Sequence, residues 1–163
     1  MKNPTLYFLL LILTVFGTVC TNNDAQNKFE ALAYALPSNY TETDFQGNTV
    51  REDSDDWRIS PFYLGLVDVE PIFPNPIGYG NNATLDVNVN GVSFSSIMEV
   101  GYLTEANNFI DLQILDVASD FEILSFTINT NQFGTATAAR GIHRLLLIDG
   151  NQRIISYGDL LIE

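Results

Sequence analysis

One cysteine, one histidine and seven lysines plus arginines are spread through 163 residues, and each scarcity removes a class of chemistry. A single thiol, Cys20, rules out an internal disulfide, so packing must hold the fold together. One histidine and one cysteine are too few soft ligands for a zinc site. No Gly-x-Gly-x-x-Gly and no phosphate loop occurs, and no cofactor is expected. Twenty acidic residues outweigh the cations, giving a net charge of −13. Such a surface repels nucleic acid and anionic headgroups, so a nucleic-acid partner is excluded and membrane contact is not expected through a basic face. Beyond Pro37 no segment reads convincingly as a helix.

What the chain does have begins at its N-terminus. Lys2 precedes an apolar run from Leu6 to Phe16, which ends at Gly17-Thr18-Val19-Cys20 before the polar Thr21-Asn22-Asn23-Asp24. A positive residue, a short apolar core and a small-residue exit read as a secretory signal over residues 1–19. The position of Cys20 resembles the lipobox of bacterial lipoproteins, with Val19 where Gly, Ala or Ser is usual. That resemblance implies a lipidated Cys20, acylated for instance with palmitate, and anchoring in an outer membrane, on its periplasmic side or at the cell surface. An ordinary secretory signal and a retained anchor are the alternatives. Loss of Lys2 with the leader leaves six cations against twenty acids, a mature charge of −14.

Residues 20–56 read as the lipidated cysteine and a flexible acidic spacer. Phe29, Leu32, Ala33 and Leu36 share a helical face, but so short a helix is marginal alone and Pro37 ends it. From Tyr40 to Asp56 there is little to bury. Order is expected from Trp57 to Glu163. Val67–Val69, Leu85–Val89, Ile97–Leu103, Phe109–Ile114, Phe121–Ile128, Ile142–Ile148 and Ile154–Ile162 are strand-like, most with period-two alternation. Asp149-Gly150-Asn151 is a hairpin turn and Phe73-Pro74-Asn75-Pro76 a rigid corner. About seven short strands predict an all-β antiparallel sandwich over residues 57–163. Its shared interior is expected to include Leu85, Val87, Val89, Leu112, Ile114, Leu145, Leu147, Ile155 and Tyr157, with Ile142–Ile148 paired on both sides.

The Phe73-Pro74-Asn75-Pro76 corner, the Gly141-Ile142-His143-Arg144-Leu145 strand and the closing Asp149–Asp159 hairpin together resemble an immunoglobulin-like or fibronectin-type domain. The likeness is to the modules of C-terminal sorting and flagellar-hook-cap-type proteins and, over the whole chain, to surface lipoproteins of the Bacteroidetes. The resemblance implies fold and compartment, not an activity. The chain departs from the sorting domain in ending Leu160-Leu161-Ile162-Glu163 and in having no large passenger ahead of the sandwich.

No catalytic constellation stands out, so the chain reads as non-enzymatic. His143 lies in a strand beside core positions, where a bond to a backbone carbonyl is expected; Ser156 and Asp159 are the only partners to imagine for it. The Asp53, Asp55, Asp56 run lacks the spacing of a calcium loop and reads as solvated. The function expected is a structural, adhesive or accessory binding module, tethered by its lipid, with a protein or glycan partner. The loops Leu103–Asn108 and Asn129–Arg140 are the longest polar connections and the natural place for recognition. The alternative is a carbohydrate-binding lipoprotein. Candidate ligand-binding residues are the aromatics Trp57, Tyr63 and Tyr79, and the amides Asn131 and Gln132. The sequence leaves oligomeric state open.

Overall fold

Strand after strand pairs antiparallel in the computed structural model, which describes residues 19–91 and 96–163. Of the signal expected over residues 1–19, residues 1–18 lie outside the described residues, as does the side chain of Cys20. Seven strands match those expected: β4 (Val67–Val69), β5 (Asn82–Val89), β6 (Ile97–Leu103), β7 (Phe109–Asp116), β8 (Glu122–Asn129), β9 (Gly141–Asp149) and β10 (Ile154–Ile162). Three short ones precede them: β1 (Glu42–Thr43), β2 (Thr49–Arg51) and β3 (Arg58–Ile59). One sheet runs β3-β10-β9-β6-β7 and the other β4-β5-β8, with β1-β2 a separate hairpin.

The two larger sheets face each other across one core. Ala83, Leu85, Val87 and Val89 of β5 point inward while Thr84, Asp86 and Asn88 point out, because successive side chains of a strand alternate. Phe126 and Ile128 join them from β8, and Met98, Val100, Leu145, Leu147, Ile155 and Leu160 answer from the five-stranded sheet. β9 pairs with β10 on one side and β6 on the other, as its apolar run predicts. Trp57 plugs the same core from the start of β3. Its ring lies flat on Gly158, where an added Cβ would sit 2.3 Å from the indole, so only glycine fits there.

β7 differs from expectation. Ile114, expected in the interior, is 53% exposed and Leu112 is half-buried. The cause is a bulge: Val100 faces Gln113 but Gly101 faces Asp111, so Leu112 is the extra residue and the alternation changes phase. Leu112 and Leu115 turn toward the core, and Ile114 falls opposite Glu99 on the outer face. The free edges of β7 and β8 are stitched by side chains. Gln113 Oε1 accepts from the Thr127 amide at 2.7 Å, and Gln132 Nε2 donates to the Leu112 carbonyl at 3.0 Å.

The expected spacer is also different: the described part of residues 20–56 packs against the sandwich. Helix α1 (Val19–Ala33) lays Phe29 and Ala33 on Leu103, Leu146, Ile148, Ile154 and Tyr157, the outer face of the five-stranded sheet. Of the helical face read from the sequence, Phe29, Leu32 and Ala33 pack on the sheet, which supplies the burial that a short helix lacks alone, while Leu36 lies beyond the helix and is exposed. Ser60 Oγ donates to Gln26 Oε1 at 2.8 Å, pinning the helix to the strand segment beside β3. The β1–β2 hairpin turns on Asp44, whose Oδ1 accepts from the Gln46 and Asn48 amides. Asn75, buried in the Pro-Asn-Pro corner, joins this hairpin to β10. Its Nδ2 donates to the carbonyls of Thr41 and Asp159, each at 2.8 Å, and its Oδ1 accepts from the Leu161 amide at 2.9 Å.

Candidate functional site

The two loops marked by the sequence meet at one end of the sandwich. After β6 the chain turns through Thr104–Asn108, closed by Asn107 N donating to the Thr104 carbonyl and Thr104 N donating to that of Asn108. After β8, Asn129 caps a short 3-10 turn, Thr130–Phe133: its side chain accepts from the Asn131 amide at 2.9 Å, while Gln132 Oε1 accepts from the Asn129 amide at 3.1 Å. Tyr79 secures the far end by donating its hydroxyl to the Gly134 carbonyl at 2.9 Å.

Between these loops lies a cavity of about 510 Å³, with Leu36 and Pro37 behind α1 as its third wall. That volume lies in the range of small-molecule sites. Its lining includes three clustered rings from distant segments, tilted or edge-on to one another. Tyr102 and Phe133 have centroids 4.6 Å apart, Phe133 and His143 4.8 Å, and His143 meets Tyr102 edge-on at 6.1 Å. His143 Nε2 lies 2.7 Å from the Ala139 carbonyl. A carbonyl only accepts, so Nε2 carries a proton in this contact. Glu105, Asn107 and Arg140 add charged and amide groups to the lining, and Leu36 is 75% exposed.

Arg144 lies at the back of this cavity, on the seam with the helix. It pairs with Asp159 through Nε to Oδ1 and Nη2 to Oδ2, the latter at 2.9 Å, and donates Nη1 to the Leu32 carbonyl at 2.8 Å. A cation at a helix C-terminus satisfies carbonyls that lack helical partners and complements the dipole. The guanidinium also stacks 4.8 Å over the Tyr157 ring. Burial pushes the Asp159 carboxyl up, against the pull of Arg144. Asp56 approaches the same pair, its Oδ2 accepting from the Thr41 amide at 2.7 Å. Burial first, then repulsion from Asp159, lifts Asp56 to about 7.

The other candidates are dispersed. Trp57 and Tyr63 are buried, so they form no exposed aromatic row. Tyr63 donates its hydroxyl to Asp149 Oδ2 at 2.8 Å, and burial raises it well above the usual phenol range. Tyr79 is half-buried and committed to Gly134. Asn131 is exposed on the 3-10 turn; Gln132 is exposed, but both ends of its amide are engaged. Cys20 lies in the first turn of α1. His143, Ser156 and Asp159 do not form a relay: His143 bonds Ala139, Asp159 is held by Arg144, and Ser156 is fully buried. Among the described residues no three His, Cys, Asp or Glu side chains converge as a metal site would require. The ring cluster was missed because Tyr102, Phe133 and His143 come from three separate elements; the one legible hint was that each borders a marked loop.

No protein-family model matches this chain, and no curated protein matches it either. What is established is the class, an antiparallel all-β sandwich; the function is argued from the site.

Proposed function

We propose that this protein is a non-enzymatic lipoprotein module, anchored through Cys20 in an outer membrane, that captures a protein or glycan partner at the loop end of its sandwich. The observation that carries the reading is the convergence of the two longest polar connections on one cavity with an aromatic floor. Loops on a rigid sheet scaffold vary and recognise while the sheets hold them in place. Aromatic rings beside polar groups suit a sugar or an extended peptide. On this reading the acyl chains on Cys20 supply the anchorage. The carbohydrate reading no longer draws on Trp57 or Tyr63; a glycan would meet Tyr102 and His143 instead, with the buried Phe133 packed against both rings.

Wholesale replacement of residues 130–138 would be a poor test, because Thr130 and Phe133 are buried. A photo-crosslinking side chain at Ala138 or Asn107, in intact membranes, keeps the fold. Adducts of defined mass are expected there and not from Asn88 on the outer face of β5. The same adduct pattern from all three positions would refute capture at this cavity.

A further inference from the structure

A second groove lies against the part of the chain nearest the anchor. Ala25, Lys28 and Leu32 of α1 form one wall, and Arg58, Pro61 and Leu64 the other, enclosing about 470 Å³. Leu64 is 67% and its neighbour Phe62 50% exposed, large apolar side chains standing in water. Lys28 and Arg58 are two of the six cations beyond the leader, and a third, Arg144, is buried. The composition as a whole argues against a basic face, yet the fold gathers cations and exposed apolar side chains here.

Distance gives this grouping its meaning. Cys20 belongs to the same helix as the groove, five residues before Ala25, or about 8 Å at ~1.5 Å per residue. The helix is not a loose leash, since Phe29, Ala33 and Gln26 fix it to the sandwich. A headgroup layer is roughly 5–8 Å thick on each side of the hydrocarbon. A domain attached so closely must rest one of its surfaces against that layer. We propose that the groove between α1 and the Arg58–Leu64 segment is that surface. Leu64 and Phe62 enter the interface, and Lys28 and Arg58 donate to lipid phosphates. The inference rests on the lipid anchor at Cys20 proposed above. It fixes the orientation of the domain on the membrane.

The test uses the lipidated chain. With Cys20 acylated, Leu64→Cys provides a single free thiol for an environment-sensitive fluorophore, and Ile123→Cys, exposed on β8, is the control. Both are reconstituted in phosphatidylethanolamine–phosphatidylglycerol vesicles containing a fraction of brominated lipid. The expected result is blue-shifted emission at position 64, quenched at least twofold by bromine, with neither effect at 123. Adding K28E and R58E should remove the shift at 64 while the protein stays vesicle-bound. Vesicle-bound, acylated protein with a water-exposed probe at 64 overturns the docking and leaves the anchor. A shift that depends on protein concentration and ignores brominated lipid means that a second copy fills the groove, which also overturns it. An unmodified Cys20 peptide by mass, with protein in the soluble fraction, overturns the anchor and the docking together.

Discussion

Replacing Asp56 with Asn should stabilise the protein at pH 8 and leave it nearly unchanged at pH 4. Asp56 sits where the acidic run folds back onto the helix–sheet seam. It faces Asp159 on β10, Asp53 in its own loop and Arg144 on β9; the two carboxyls raise it and the guanidinium lowers it, but burial is the largest influence. Lifting a carboxyl from 3.8 to about 7 corresponds to about 4 kcal/mol. The solvent-open part of the group trims this to ~2–3 kcal/mol. The sign follows from which state holds the proton. Between pH 4 and 7 the folded chain keeps a proton that the unfolded chain has released, so stability falls as pH rises through this window and levels off above 7. Asn has no proton to lose, and its Oδ1 can still accept from Thr41. The assay is urea denaturation of both proteins from pH 4.5 to 8.5. The advantage of D56N should grow across this range and flatten above about 7. A constant difference, or a variant less stable at pH 8, would refute the account of Asp56 as a buried carboxyl ionised at a cost.

Leu145→Ala, at a fully buried position of the central strand, should cost about 2–5 kcal/mol in the same denaturation experiment; a loss below ~1 kcal/mol would place Leu145 outside the packed core. Tyr157→Phe should be neutral or stabilising by up to ~1 kcal/mol, because the hydroxyl is buried with no hydrogen-bond partner among the described residues; a drop in melting temperature would show that the oxygen is satisfied. Glu99 is lifted to about 7 by burial and then by its hydrogen bond to Asp111, so carbon-detected NMR should find it titrating near neutrality. Asp111→Asn should move that titration toward the ordinary carboxylate range.

The sandwich was legible because period-two alternation is local. β5 and β8 show it cleanly, and both bury the faces it marks. The phase change in β7 was not legible, since the bulge is a relation between two strands and leaves no mark in either. The packed helix was half legible. Its apolar face was visible, but its partner was hidden in another clue, the uninterrupted apolar run of β9. A strand apolar on both faces needs cover on both, and one sheet can cover only one of them. The seam of Arg144, Asp159 and Asp56 lay beyond reach, because Arg144 meets the Leu32 carbonyl 112 residues away. Residues of both marked loops line the cavity. The clustering of aromatics along the chain from Trp57 to Tyr79 formed no exposed row, because neighbourhood in sequence does not decide which way a ring points.

On the membrane anchoring proposed above, the glutamine stitches between β7 and β8 bear on life in two dimensions. Molecules confined to a surface meet far more often than the same number in solution, and a bare strand edge would recruit its neighbours into growing ribbons. Here Gln113 occupies the Thr127 amide on the β8 edge and Gln132 the Leu112 carbonyl on the β7 edge, so one backbone group on each facing edge is satisfied from within the molecule. The two amides act as selvedges, finished borders that let a sheet be crowded without fraying into the next.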